Sequence, residues 1–126
     1  MRLEHTNLTV SDLERSIAFY HDALGFDVRW RGQAVGTTRM VPAAHVGPAG
    51  DEFYCALFES EKPGRAPYDY ATPGFNHFGI VVDDLAAVTT RVEAAGAKVH
   101  MSFEYDPGRH VYFFDPDGTE IELIEY

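Results

Sequence analysis

His5-Thr6-Asn7-Leu8-Thr9-Val10-Ser11-Asp12-Leu13 and His77-Phe78-Gly79-Ile80-Val81-Val82-Asp83-Asp84-Leu85 run in the same order: a histidine opening a strand-like stretch, an acidic turn, then the start of a helix. With a one-residue gap the match continues through Leu24-Gly25-Phe26-Asp27-Val28 and Ala95-Gly96-Ala97-Lys98-Val99. It closes with Cys55-Ala56-Leu57-Phe58-Glu59 against Ile121-Glu122-Leu123-Ile124-Glu125. A chain that repeats itself this way is built from two copies of one supersecondary unit. The modules span about residues 1–60 and 74–126, and the Pro/Gly-containing segment 61–73 joins them.

Each module reads as a strand, a helix and three further strands. Leu3 to Val10, rich in Leu, Thr and Val, predicts the first strand; Ser11, with Glu14 three residues later, predicts a capping box at the start of the first helix. Leu13, Ile17, Phe19, Tyr20 and Leu24 give that helix an apolar stripe, and Gly25 stops it. The second helix is expected from about Asp84 to Ala95, with Leu85, Val88 and Val92 as its stripe and Gly96 as its stop. Asp115-Pro116-Asp117-Gly118 is a turn signal between strands at 109–114 and 119–125. Two helices against about eight strands make the fold class α+β.

The chain has 126 residues, 45% of them apolar, enough for one packed domain over 1–126. No stretch has the roughly 20 apolar residues that span a bilayer, and Met1-Arg2-Leu3-Glu4 leads straight into strand sequence, so a cytoplasmic location is expected. The net charge of -10 opposes nucleic acid and anionic membranes as partners. With Cys55 as the sole cysteine, any metal must be held by His, Asp or Glu. Cys55 itself reads as a packing residue.

Side chains alternate along a strand, so His5, Asn7 and Thr9 share one face while Leu8 and Val10 share the other, which must meet the helix. The repeat puts His77 in the position equivalent to His5. Neutral imidazole is the commonest protein metal ligand and a carboxylate usually completes such a site; Glu122, set in an apolar run where an unpaired carboxylate is costly, is the candidate. His5, His77 and Glu122 are therefore the expected ligands of one divalent metal. His21, His45 in the loop around Val46-Gly47-Pro48, and His100 have no partner motif and read as structural or surface residues. Phe53, Tyr54, Phe58, Phe113 and Phe114 read either as core or as an apolar wall for an aromatic substrate.

Residues 5–26 (HTNLTVSDLERSIAFYHDALGF), 77–85 (HFGIVVDDL) and 112–125 (YFFDPDGTEIELIE) resemble the vicinal oxygen chelate superfamily of glyoxalases, bleomycin-resistance proteins and extradiol dioxygenases. The resemblance covers nearly the whole chain and is weakest between Arg31 and Asp51. It implies two pseudo-symmetric βαβββ modules forming an incomplete cupped barrel around a divalent metal, and a homodimer in which His5 meets His77 and Glu122 of the same or another subunit. In glyoxalase I a fourth ligand, a carboxylate, occupies the slot that is Ala56 here, and the glutathione-contacting arginine is replaced by Thr9. What remains is a two-histidine, one-carboxylate triad that leaves positions open on Fe(II) or Mn(II), with Ni(II) and Zn(II) as the alternatives.

That triad, by the same resemblance, points to a ring-cleaving dioxygenase acting on a small chelating substrate. Tyr112, ten residues before Glu122, matches a tyrosine of those enzymes that bonds a substrate oxygen, and His110 on the same strand face is the candidate acid-base. Tyr112 reads equally as an ordinary strand aromatic. Asn7, Thr9, Ala56 and Arg109 are candidate substrate contacts, Arg109 reading also as a solvated strand end. A thiol transferase, a lyase or isomerase with the same triad, and a metal-free antibiotic-binding protein are the alternatives.

Overall fold

A computed structural model describes residues 1–50, 53–65 and 69–126. The elements are β1 (His5–Val10), α1 (Leu13–Leu24), β2 (Asp27–Val35), β3 (Met40–Gly47), β4 (Tyr54–Glu59), β5 (His77–Val81), α2 (Leu85–Ala94), β6 (Val99–Tyr105), β7 (Gly108–Phe114) and β8 (Glu120–Glu125). The chain divides into two compact units, Met1–Gly64 and Arg65–Tyr126, and each repeats the order β-α-β-β-β. The fold class is α+β, as the two helices and eight strands of the sequence suggested.

Each unit holds one open mixed sheet of four strands, ordered β1-β4-β3-β2 in the first and β5-β8-β7-β6 in the second. The first and last strands of each module pair in parallel and the others antiparallel. Parallel pairing needs a crossover, and the helix supplies it. Registers correspond between units: His5 lies opposite Tyr54 as His77 lies opposite Glu120, and His45 lies opposite Ala56 as Tyr112 lies opposite Glu122.

Alternation divides each sheet into a helix-facing side and a helix-distal side. In the first unit Leu8, Val10, Val46, Cys55 and Leu57 are buried with Phe19, Tyr20 and Ala23 of α1. Ser16 and Ala23 take core positions, whereas Ile17 and Leu24 of the expected stripe are only half-buried. In the second unit Ile80, Val111, Phe113, Ile121 and Leu123 are buried with Leu85 and Val92 of α2. His5, Asn7 and Thr9 lie on the more exposed side of β1, as the alternation requires. Among the described residues no helix is long and apolar enough to cross a membrane.

The helix starts correct one expectation. Asp12, not Ser11, is the N-cap of α1: its backbone is extended and its carboxylate accepts the Arg15 N–H at 2.9 Å. Ser11 accepts from the Arg15 guanidinium, and Glu14 is paired with Arg31 instead of closing a capping box. Asp84 repeats the cap on α2, accepting from Ala87 N–H at 2.9 Å. A second carboxylate assists each cap from the last strand of the module: Glu59 accepts from Leu13 N–H and Glu125 from Leu85 N–H, at 3.2 and 2.7 Å. Gly25 ends α1 with φ 72, a left-handed conformation that glycine adopts without a Cβ clash.

The caps carry two expectations. Asp84→Ala should destabilise the protein by about 1 kcal/mol in urea unfolding, the usual scale for losing a cap. Glu125 is held below the usual carboxylate range, first by the Leu85 N–H and then by Arg109. A depressed carboxylate stabilises the fold above its unfolded pKa of about 4.3 and loses that contribution as pH falls through the lower folded value. Glu125→Gln should therefore melt below wild type near neutral pH, with the gap narrowing as the pH is lowered from about 4; circular dichroism melts whose gap does not narrow in acid contradict the electrostatic account.

Candidate functional site

In the second unit, β8 runs between β5 and β7, so its helix-distal side chains are flanked by residues of both neighbours. Glu120 and Glu122 lie on that side beside His77 of β5 and His110, Tyr112 and Phe114 of β7. Gly79 stands opposite Glu122; a Cβ there would meet Ile124 Cδ1 at 3.1 Å and lie at an ordinary contact distance, 3.4 Å, from Glu122 Oε2.

Glu122 is 8% exposed, and burial of a carboxylate without donors is costly. Its two oxygens are treated differently. Oε1 accepts from the Tyr112 hydroxyl at 2.6 Å and lies 2.8 Å from His110 Nδ1. Oε2 lies 3.1 Å from His77 Nε2. Burial raises the carboxyl's pKa, but the bonds from Tyr112 and His110 and the proximity of His77 outweigh it, and the group is held below the usual range. The same contact, after burial, pushes the Tyr112 phenol far above its ordinary value, so it remains a donor. With Nδ1–H of His110 directed at Glu122, His110 Nε2 is a buried acceptor with no hydrogen-bond partner among the described residues.

A second buried carboxylate adjoins the first. Glu120, 1% exposed, accepts from the Tyr70 hydroxyl and lies 2.9 Å from His100 Nε2, while His100 stacks on Phe114 at 4.4 Å between ring centroids. Tyr70 also contacts His77, its oxygen 2.7 Å from Nδ1. His77 thus stands between two carboxylates, meeting Glu122 through Nε2 and Glu120 through Tyr70.

The helix-distal side of the first unit differs. His5, with its side chain 42% exposed and Nδ1 2.9 Å from Glu4, begins a row of stacked or tilted rings: His5 to Tyr54 at 5.0 Å, Tyr54 to His45 at 4.4 Å, His45 to Trp30 at 4.9 Å. The row crosses all four strands. Ala56 is buried beneath it, in register with Asn7 and His45, and Asn7 and Thr9 are exposed on the same side of β1. Burial first, and then the neighbouring His5, lower the pKa of His45 and favour its neutral form.

The structure therefore joins His77, Glu122, Tyr112 and His110 in one cluster and puts His5, Asn7, Thr9 and Ala56 together on the other sheet. Arg109 is not part of either group: it lies on the helix-facing side of β7, ion-paired with Glu125. Tyr112 does not show its hydroxyl to solvent, and His45 sits in β3 instead of a loop. Of the aromatic residues read as a wall, Phe113 is core, Phe53 packs on Phe26, and Tyr54 and Phe114 lie on the helix-distal sides. Sequence reasoning missed Glu120 and Tyr70, and it read His100, which pairs with Glu120 and stacks on Phe114, as a structural or surface residue. Glu120 was accessible from the same alternation that chose Glu122, being two residues before it; nothing marks Tyr70 in the joining segment. Among the described residues no three His, Cys, Asp or Glu side chains are gathered as an ion would need.

Comparison with known proteins places this geometry in context. A model of the Glyoxalase/Bleomycin resistance protein/Dioxygenase superfamily matches residues 2–123. A probable lactoylglutathione lyase of Vibrio parahaemolyticus is 36% identical over 130 residues, covering 98% of this chain and 90% of the relative. The glutathione transferase FosA of Serratia marcescens is 29% identical over 125 residues, covering 96% and 78%. The crystal structure of a glyoxylase/bleomycin resistance protein/dioxygenase domain from Frankia sp. superposes with a TM-score of 0.80 at 27% identity, covering 99% of this chain and 97% of that one. The repeated βαβββ module, the match over residues 2–123 and the 36% identical relative together show that the chain belongs to the Glyoxalase/Bleomycin resistance protein/Dioxygenase superfamily.

Proposed function

We propose that the protein is a metal-dependent enzyme acting on a small, oxygen-rich chelating substrate, with His5, His77 and Glu122 as metal ligands. The observation that carries this reading is the asymmetry of Glu122: Oε1 is occupied by Tyr112 and His110, and Oε2 is presented next to His77 Nε2 at 3.1 Å. An imidazole nitrogen and a carboxylate oxygen side by side form a hard, nitrogen-oxygen donor pair, and His5, from the same chain or a second copy in a homodimer, supplies the third ligand. The donor set suits Fe(II) or Mn(II), with Ni(II) and Zn(II) as alternatives. A divalent ion bound there supplies Lewis acidity and, as Fe(II) or Mn(II), redox capacity.

The chain's own side chains divide the remaining work. Tyr112 stays protonated and holds Glu122 Oε1, which fixes the direction of Oε2. His110 is the candidate acid-base, its buried Nε2 left as an acceptor while its Nδ1–H bonds Glu122. Ala56 offers no donor, so one more coordination position is left to substrate or co-reactant. Trp30, His45 and Tyr54 form an aromatic row suited to a planar substrate, with Asn7 and Thr9 as polar contacts. These features favour a ring-cleaving dioxygenase of the extradiol type. The relatives named lactoylglutathione lyase favour a second reading, a lyase or isomerase using the same ligands without dioxygen.

Alanine at His5, His77 or Glu122 should remove most of the bound metal while circular dichroism shows the fold retained; unchanged metal content in all three variants, by elemental analysis, rejects the ligand set. Sedimentation velocity at micromolar concentration checks the homodimer. For the chemistry, a catechol screen in an oxygen electrode is decisive: equal aerobic and anaerobic rates for any substrate found reject the dioxygenase and favour the lyase. Ala56→Glu should fill the open position and suppress a dioxygen-dependent reaction. Tyr112→Phe should lower metal affinity or turnover by about 10- to 100-fold, the range for losing a group that orients a ligand.

A further inference from the structure

The ring of His77 has two nitrogens with different partners, and the hydrogen bonds around them decide which carries the proton. Tyr70 has one hydroxyl proton. Its closest acceptor is the Glu120 carboxylate, fully buried and also in contact with His100 Nε2. If Tyr70 donates to Glu120, its oxygen can only accept from His77, so the contact of 2.7 Å requires the proton on Nδ1. In a neutral ring Nε2 is then an unprotonated lone pair, and it faces Glu122 Oε2, another acceptor, at 3.1 Å. Two acceptors at that distance repel unless Nε2 takes a second proton or a cation lies between them.

We infer that Tyr70 and Glu120 are positioning residues: they hold the proton on His77 Nδ1 and so present Nε2 as the donor to a metal ion. This inference rests on the metal reading above for its purpose, but the proton's location is independent of it. His100, stacked on Phe114, steadies the carboxylate from the other side. A metal-ligating histidine whose second nitrogen is bonded in this way is oriented and made more basic, and losing such a partner typically weakens metal affinity 10- to 100-fold.

The test places the proton directly. In metal-free wild-type protein labelled with nitrogen-15 on histidine, His77 Nδ1 should show the shift of a protonated nitrogen; an unprotonated Nδ1 overturns the proposal. Glu120→Gln, whose amide can donate to the Tyr70 oxygen and turn its hydroxyl toward His77, should move the proton from Nδ1 to Nε2, and retention on Nδ1 also overturns it. Since Glu120 is fully buried and that variant can fail to fold, Tyr70→Phe, at a half-exposed position, provides the second measurement. With Zn(II) alone as the probe and a competing chelator, Tyr70→Phe should raise the dissociation constant about 10- to 100-fold, and unchanged affinity refutes the positioning role. A wild type that carries the proton on Nδ1 but binds no Zn(II), Mn(II) or Fe(II) supports the relay and rejects the metal reading instead.

Discussion

A carboxylate removed from water must be met by donors, and the second unit is arranged around that requirement at Glu122. The strand that carries it alternates between buried apolar side chains facing α2 and acidic side chains facing away. Because β8 is central in the sheet, both neighbouring strands can supply partners, and each does: β5 brings His77 and β7 brings His110 and Tyr112. Shifting β8 by one residue would exchange Glu122 for Leu123 and turn the carboxylates into the apolar core. The register of the sheet and the ionisation of the site are therefore one constraint.

The two modules show how the same scaffold supports different surfaces. Tyr54 occupies the position of Glu120, Ala56 that of Glu122, His45 that of Tyr112 and Ala43 that of His110. Every polar partner of the buried carboxylate has an aromatic or small counterpart. Without a carboxylate at Ala56, the first module has no need of donors there, and rings can stack across its strands instead. The helix-facing sides diverge much less, since both must cover a helix: Leu8 and Leu57 correspond to Ile80 and Leu123. Even the carboxylates that cap the helices, Glu59 and Glu125, are kept in both halves.

This division explains what the sequence disclosed. Period-two alternation and the internal match were sufficient for the modules, the strand faces and the equivalence of His5 with His77, because these follow from backbone geometry. Glu122 was recognisable from the cost of a carboxylate among Ile121, Leu123 and Ile124. Partners that approach from other strands were harder: the stacking of His45 between Trp30 and Tyr54 and the pairing of His100 with Glu120 depend on register, and neither residue has a distinctive local neighbourhood. Tyr70 lies outside the repeat, so no symmetry argument reaches it. The shift of the first cap from Ser11 to Asp12 is a matter of one residue, where both side chains are competent and the backbone conformation chooses.

Glu120 and Glu122 stand two residues apart on one face, a separation of about 7 Å along a strand. Two ionised carboxylates at that distance repel by roughly 2 kcal/mol at an effective dielectric constant of 20. Neither is free to turn into water, since both are buried. The available donors relieve this unevenly: Tyr70 and His100 serve Glu120, Tyr112 and His110 serve Glu122 Oε1, and Oε2 is left with His77. His77 cannot satisfy both sides with a single proton. If Nδ1 keeps it, the negative charge of Oε2 is uncompensated; if Nε2 takes it, the Tyr70 hydroxyl must choose between Nδ1 and Glu120. A second proton on Nε2, or a cation beside Nε2 and Oε2, removes the conflict, because either compensates the carboxylate while leaving the first proton on the far nitrogen.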